Sequence, residues 1–178
     1  PSTTRENYDW YDSGENPYKS LNGGDGMQVQ VDTRDNKTVY TGSQYGNYMR
    51  SNTGGGDRKS VKPTNDLGET NFRFNWQAPI LLSKHNQDVF YYGSNKFHRS
   101  LNRGDSMVTM SPDLTTNPAQ GDVPYGTLST ISESPLKFGL IYVGTDDGNI
   151  HVSKDGGYTW NLITKKLPKG LYVSRVVA

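Results

Sequence analysis

Three acidic positions in this 178-residue chain have the setting that glycoside hydrolysis would ask for. Cleaving a glycosidic bond takes two carboxyl groups, about 5–5.5 Å apart for retention and about 6.5–9.5 Å apart for inversion. Asp25, between Gly24 and Gly26, is the first candidate; Asp146 and Asp147, ahead of Gly148, are the second. Each also has a plainer explanation. A carboxylate between glycines caps a turn, and Asp-Gly between two alternating runs closes a hairpin in which both central residues need φ > 0. Amide and aromatic side chains occupy the same kind of loop: Gln44, Tyr45, Asn75, Trp76 and Asn95, with Trp10 and Tyr11 upstream. Such groups on loops held by a rigid scaffold suit sugars or extended peptides. Trp76 serves equally well as packing between neighbouring elements.

Other chemistries find little support. The chain has no Cys, which removes thiol nucleophiles, disulfides and Cys-based zinc sites. His85, His98 and His151 show no metal-ligand spacing, so neither a metal nor a cofactor is expected. Gly54-Gly55-Gly56 runs into Asp57-Arg58-Lys59-Ser60, which is not a phosphate-binding loop. Lys plus Arg is 19 against 18 Asp plus Glu, so no basic excess points to nucleic acid. No apolar run approaches the roughly 18 residues of a membrane span. Arg103-Gly104-Asp105 spells an integrin-type tripeptide, but Gly104 is better explained as a turn glycine. Asn36-Lys37-Thr38 is a glycosylation sequon, relevant in a eukaryotic host.

The elements that must carry these residues repeat along the chain. Residues 141–160 align with 89–107 when Ser100 is laid on Ser153. Asn102 then meets Asp155, Gly104 meets Gly157, Ser106 meets Thr159 and Met107 meets Trp160. A weaker copy covers 39–51, and its tail, 52–56, has lost the pattern. An apolar stretch precedes each copy, at 27–31, 79–82 and 128–131, and 172–177 begins a fourth. Each unit therefore predicts four short strands. The first is apolar and innermost, and the third alternates, as in residues 149–153. Four-stranded units of this length are β-propeller blades, placed here at about 24–72, 73–120 and 121–168, with the start of a further blade at 169–178. The fold class is all-β, about three and a half blades. Alternating strand direction puts the loops at 42–46, 93–96 and 144–148 on one face, together with the loops entering each first strand.

Residues 153–160 spell Ser-x-Asp-x-Gly-x-Thr-Trp, which resembles the Asp-box or BNR repeat at every defining position: Ser153, Asp155, Gly157, Thr159 and Trp160. The copy with Ser100, Asn102, Gly104, Ser106 and Met107 is a degenerate one, and its turn is expected to be looser. The box is a structural device. Its Asp and Ser satisfy turn N–H groups and its Trp is an apolar plug between strands. Together with Asn22-Gly23-Gly24-Asp25-Gly26, Phe74-Asn75-Trp76, Ser111-Pro112-Asp113-Leu114-Thr115 and Tyr125-Gly126-Thr127, the chain resembles the bacterial secreted sortilin-like (VPS10-like) BNR-repeat propellers. Members are often called glycosyl hydrolases, largely by fold analogy. The resemblance implies a segment of a longer protein, located outside the cell, in the periplasm or on the cell surface. It implies a peptide, protein or polysaccharide ligand, with the remaining blades of the same parent protein as structural partners. A xyloglucanase-like hydrolase is the alternative. No sialidase-like arginine triad is present, because Arg50 and Arg99 sit at equivalent repeat positions and the third copy has Val152.

Overall fold

The computed structural model describes residues 20–56, 58–164, 167–168 and 170–178. Trp10 and Tyr11 lie outside the described residues. Among the described residues, twelve strands form three antiparallel four-stranded sheets, each in simple sequential order. Blade 1 holds β1 (Gln30–Val31), β2 (Thr38–Ser43), β3 (Asn47–Asn52) and β4 (Lys59–Ser60). Blade 2 holds β5 (Ile80–Leu82), β6 (Phe90–Gly93), β7 (Phe97–Ser100) and β8 (Val108–Thr109). Blade 3 holds β9 (Leu128–Glu133), β10 (Ile141–Thr145), β11 (Ile150–Ser153) and β12 (Asn161–Leu162). Among the described residues no helix is long and apolar enough to cross a membrane.

The continuous apolar run at 89–92 is explained by burial on both sides of one strand. Phe90 and Tyr92 join Tyr40, Tyr48 and Val61 of blade 1, whereas Val89 and Tyr91 join Leu128, Ile141 and Val143 of blade 3. Side chains alternate across a strand, so a middle blade must be apolar on both faces. Tyr40 stacks on Phe90 with ring centroids 4.5 Å apart, and Tyr48 meets Tyr92 edge-on at 5.6 Å. Their hydroxyls find carbonyls: Tyr48 Oη donates to Ala78 O at 3.0 Å and Tyr40 Oη to Arg103 O at 3.1 Å. Each turn leaving a first strand begins at a side-chain oxygen, Asp32, Ser83 or Ser134, that accepts a backbone N–H two residues on.

The Ser153–Trp160 turn is held by its own side chains. Ser153 Oγ accepts from Gly157 N at 2.8 Å and donates to Asp155 Oδ1 at 2.8 Å. Asp155 also accepts from Thr159 N at 2.9 Å and Thr159 Oγ1 at 2.6 Å. The Thr159 hydroxyl is the main reason its carboxyl is lowered to about 2. Asn102 reproduces the frame: Ser100 Oγ accepts from Gly104 N at 2.8 Å and Asn102 Oδ1 accepts from Ser106 N at 2.9 Å. The single oxygen of the amide does here what one oxygen of the carboxylate does in the other turn. The second position differs, as Asn102 Nδ2 donates to Ser106 Oγ at 3.3 Å. The Trp160 ring lies 5.0 Å from that of Phe97 in blade 2 and packs on a cluster that also holds Ile141 and Val143 of its own blade.

One more expectation changes. In the 145–149 hairpin Gly148 has φ 100, but Asp147 is not left-handed. Thr145 N donates to Asn149 O and Gly148 N to Thr145 O, a three-residue loop with one left-handed glycine rather than a two-residue turn. Residues 170–178 contain no assigned strand. They nonetheless lie along β9, where Val176 N donates to Thr130 Oγ1 at 3.4 Å and Ala178 N to Ser132 Oγ at 3.0 Å. Gln28 and Gln30 of blade 1 accept from Ile80 N and Leu82 N of blade 2 in the same way. The last residues thus stand to β9 as β5 stands to residues 28–30.

Candidate functional site

The loops at 44–46 and 73–76, the loop before β9 and the 146–148 hairpin tip meet on one face. In the first, Tyr45 (φ 58) and Gly46 (φ 70) turn the chain left-handed. A Cβ at Gly46 would lie 2.6 Å from Tyr92 Oη and 2.8 Å from Phe74, so only glycine fits. Tyr45 N donates to Trp76 O at 3.1 Å, and Lys62 Nζ donates to Tyr45 O at 2.8 Å. Lys62 also lies 4.7 Å over the Phe74 ring, and burial lowers its pKa. Trp76 N donates to Asn75 Oδ1 at 2.7 Å. The backbone of Trp76 is thus held on both sides while its side chain, in edge contact with Tyr45 at 5.4 Å, stays 48% exposed. Tyr45 and Tyr125 are 39% and 38% exposed. Three aromatic side chains on one loop face form a ledge.

The acidic candidates are placed differently from one another. Asp25 is exposed, next to Gly24, whose Cβ position would contact Ser43 and Gln44. Gln44 is half-buried there, and its carbonyl accepts from Asn47 Nδ2 at 2.7 Å. Asp146 and Asp147 are buried, between blades 2 and 3. Asp146 Oδ1 accepts from Gly126 N and Thr127 N, and Oδ2 from Thr127 Oγ1 and Asn75 Nδ2, all within 2.8–2.9 Å. Asp147 Oδ2 accepts from Thr116 N at 2.6 Å and Thr116 Oγ1 at 2.7 Å, and Oδ1 accepts from Thr145 Oγ1. Carboxylates with every oxygen so engaged tie loops together. No contact brings Asp25 to either of them among the described residues.

Asn95, expected on the ligand surface, is 5% exposed. Its Oδ1 accepts from Arg73 N at 3.0 Å and its Nδ2 donates to Asp113 Oδ2 at 2.9 Å, so its polar atoms are already matched. It belongs to a network that the sequence did not reveal. Arg73 Nη2 pairs with Asp113 Oδ2 at 2.7 Å, and Arg73 Nε donates to Gly126 O at 3.1 Å. Burial pushes Asp113 up, but bonds from Thr115, Asn95 and Arg73 outweigh it and leave the pKa below the ordinary value. Glu69, Arg73, Lys96, Asp113 and Asn117 border a polar pocket of about 450 Å³. Tyr125 was also missed, although the Tyr-Gly-Thr in an entering loop was its only available signal. No cluster of three His, Cys, Asp or Glu that could hold a metal occurs among the described residues.

The Arg-Gly-Asp tripeptide is engaged inside the molecule. Arg103 O accepts from Arg50 Nη1 at 2.7 Å, and Asp105 pairs with Arg50 at 2.9 Å and Lys59 at 2.7 Å. Arg99 repeats the first contact one blade on, donating to Gly156 O at 2.7 Å.

No family model and no curated protein matches the chain. Its fold is similar to solved β-propeller structures. The GH74 xyloglucanase from Xanthomonas campestris aligns with a TM-score of 0.60 at 22% identity over 83% of this chain and 24% of that one. The Niastella koreensis GH74 enzyme aligns at 0.55 and 18%, over 80% of this chain and 23% of that one. YCF48 bound to D1 peptide aligns at 0.50 and 16%, over 78% of this chain and 40% of that one. At these identities the likeness is one of fold, and the chain spans well under half the length of each structure. The chain is a set of β-propeller blades.

Proposed function

We propose that this chain is the ligand-binding segment of a sortilin-like BNR-repeat propeller outside the cell, in the periplasm or on the cell surface. It takes a peptide, protein or glycan on the Tyr45–Trp76–Tyr125 ledge. The exposed ledge, with its central ring pinned through the backbone, is the observation that carries this reading. Rigid aromatic surface of low side-chain entropy is what extended ligands stack on. YCF48, a propeller of similar fold, is solved with a peptide bound. The remaining blades of the same parent protein complete the ring.

A xyloglucanase-like hydrolase is the second reading, favoured by the GH74 enzymes among the similar folds. It requires a carboxylate pair, and of the three candidates only Asp25 has an exposed setting. The test is binding of the full-length protein to soluble xyloglucan, mixed-linkage β-glucan and a peptide library. Trp76→Ala is expected to weaken the ligand found by roughly 30-fold, about 2 kcal/mol for an anchoring Trp. Unchanged binding overturns the ledge. Hydrolysis of a glucan that Asp25→Asn abolishes in a folded protein would establish the enzyme instead.

A further inference from the structure

Asp146 has the placement of an organiser. It is 2% exposed, and its carboxylate accepts four bonds from two separate segments. Gly126 N and Thr127 belong to the entry into β9, and Asn75 belongs to the loop ahead of β5 in the neighbouring blade. Asn75 is bipolar. Its Nδ2 donates to Asp146 at 2.9 Å while its Oδ1 accepts the Trp76 N–H at 2.7 Å. Tyr125 Oη donates to the Asp146 carbonyl at 3.3 Å. Two exposed rings on different blades are therefore both tied to one residue, the first through its side chain and the second through its backbone.

We infer that Asp146 is a positioning residue that locks Trp76 and Tyr125 into one two-ring platform across the joint of blades 2 and 3. The inference rests on the loop face being the ligand site. It makes the ligand one long enough to meet both rings, an oligosaccharide or an extended peptide rather than a single sugar or amino acid. The chemistry needs a carboxylate, because all four partners are donors. An amide at 146 would turn its own N–H₂ against one of them.

The readout is ¹⁹F NMR of the full-length protein labelled with 5-fluorotryptophan, with each resonance assigned by a Trp→Phe variant and no ligand present. Asp146→Asn is expected to shift the Trp76 resonance by more than a linewidth and broaden it, while the Trp160 resonance stays in place. Adding Asn75→Asp is expected to restore it. The carboxylate then at position 75 accepts from the amide then at 146 and still accepts the Trp76 N–H. An unmoved Trp76 resonance in Asp146→Asn, or no recovery in the double variant, overturns the inference. Should Asp146→Asn not fold, Asn75→Asp alone removes the donor to Asp146, keeps an acceptor for the Trp76 N–H and leaves the other three bonds intact. A moved Trp76 resonance then supports the inference and an unmoved one overturns it. Because no ligand enters the measurement, its failure is separate from a failure of the ligand-binding reading, which the Trp76→Ala binding test decides.

Discussion

His98 shows how a residue with no visible role in the sequence is given one by burial. It is fully buried, with Nε2 2.7 Å from Ser94 Oγ, Nδ1 3.1 Å from Thr109 Oγ1 and its ring against Phe72. Burial, assisted by nearby Lys96, pushes its pKa down to about 3 from 6.5. The folded state then binds fewer protons than the unfolded one between these values, so stability falls as pH drops from 6.5 toward 3 and this contribution is intact above 6.5. The slope approaches about 1.4 kcal/mol per pH unit for one such group. Urea melts from pH 7.5 to 4.5 should show this loss, and His98→Asn should flatten it. His151, lowered mainly by burial, adds in the same direction. Carboxylates such as Asp155, held at about 2, add theirs only below about pH 4. A wild-type stability flat from pH 7.5 to 4.5 would refute the assignment.

At the scale of elements the blades are joined by a repeated arginine contact. Arg50 on β3 reaches the carbonyl of Arg103, and Arg99 on β7 reaches the carbonyl of Gly156 and lies 5.0 Å over the Tyr158 ring. Arg103 and Gly156 are equivalent turn positions, left-handed at φ 63 and 78. Such a turn aims its carbonyl outward, leaving it for the neighbour. Charge-assisted bonds to a partly buried carbonyl contribute roughly 1.5–3 kcal/mol. Arg50→Met and Arg99→Met should each destabilise by about that much. Their effects should add in the double variant, since the two share no partner. Urea unfolding of the three variants checks both statements, and a loss below about 0.5 kcal/mol for either would remove the contact as a stabilising joint. Arg50 and Arg99 were legible as equivalent positions in the repeats. Their target was not, because a backbone carbonyl has no signature in a sequence.

Among the described residues of the whole molecule, blade 3 is less covered than the two before it. Tyr40 and Tyr91, at equivalent positions of β2 and β6, are wholly buried by the following blade, while their counterpart Tyr142 on β10 is only half-buried. Leu162 and Leu167 are exposed on the same blade, and Leu171 just beyond it. Three blades cannot close a ring of four to eight, and stacked units bury their faces only against neighbours. The 178-residue chain is therefore expected to self-associate. Sedimentation velocity should show species above the monomer that grow with concentration, and a monodisperse, cooperatively melting monomer would count against the open-ring description.

The sequence by itself determined the strands, their grouping into blades and the turn at 153–160. These follow from local causes: period-two alternation, glycines at left-handed positions and side chains bonding their own backbone within four residues. It also placed the loops that share one face, because strand direction alternates. Only the tertiary structure decided what the loop residues on that face do. Asn95 and Asp146 look as available in the sequence as Trp76, yet contacts to residues 18 to 71 positions away engage the first two and leave the Trp76 ring exposed. Whether a polar side chain faces a ligand or a neighbouring loop depends on which donors the fold brings to it. Those donors come from distant loops of the same or a neighbouring blade, where no pattern along the chain can announce them.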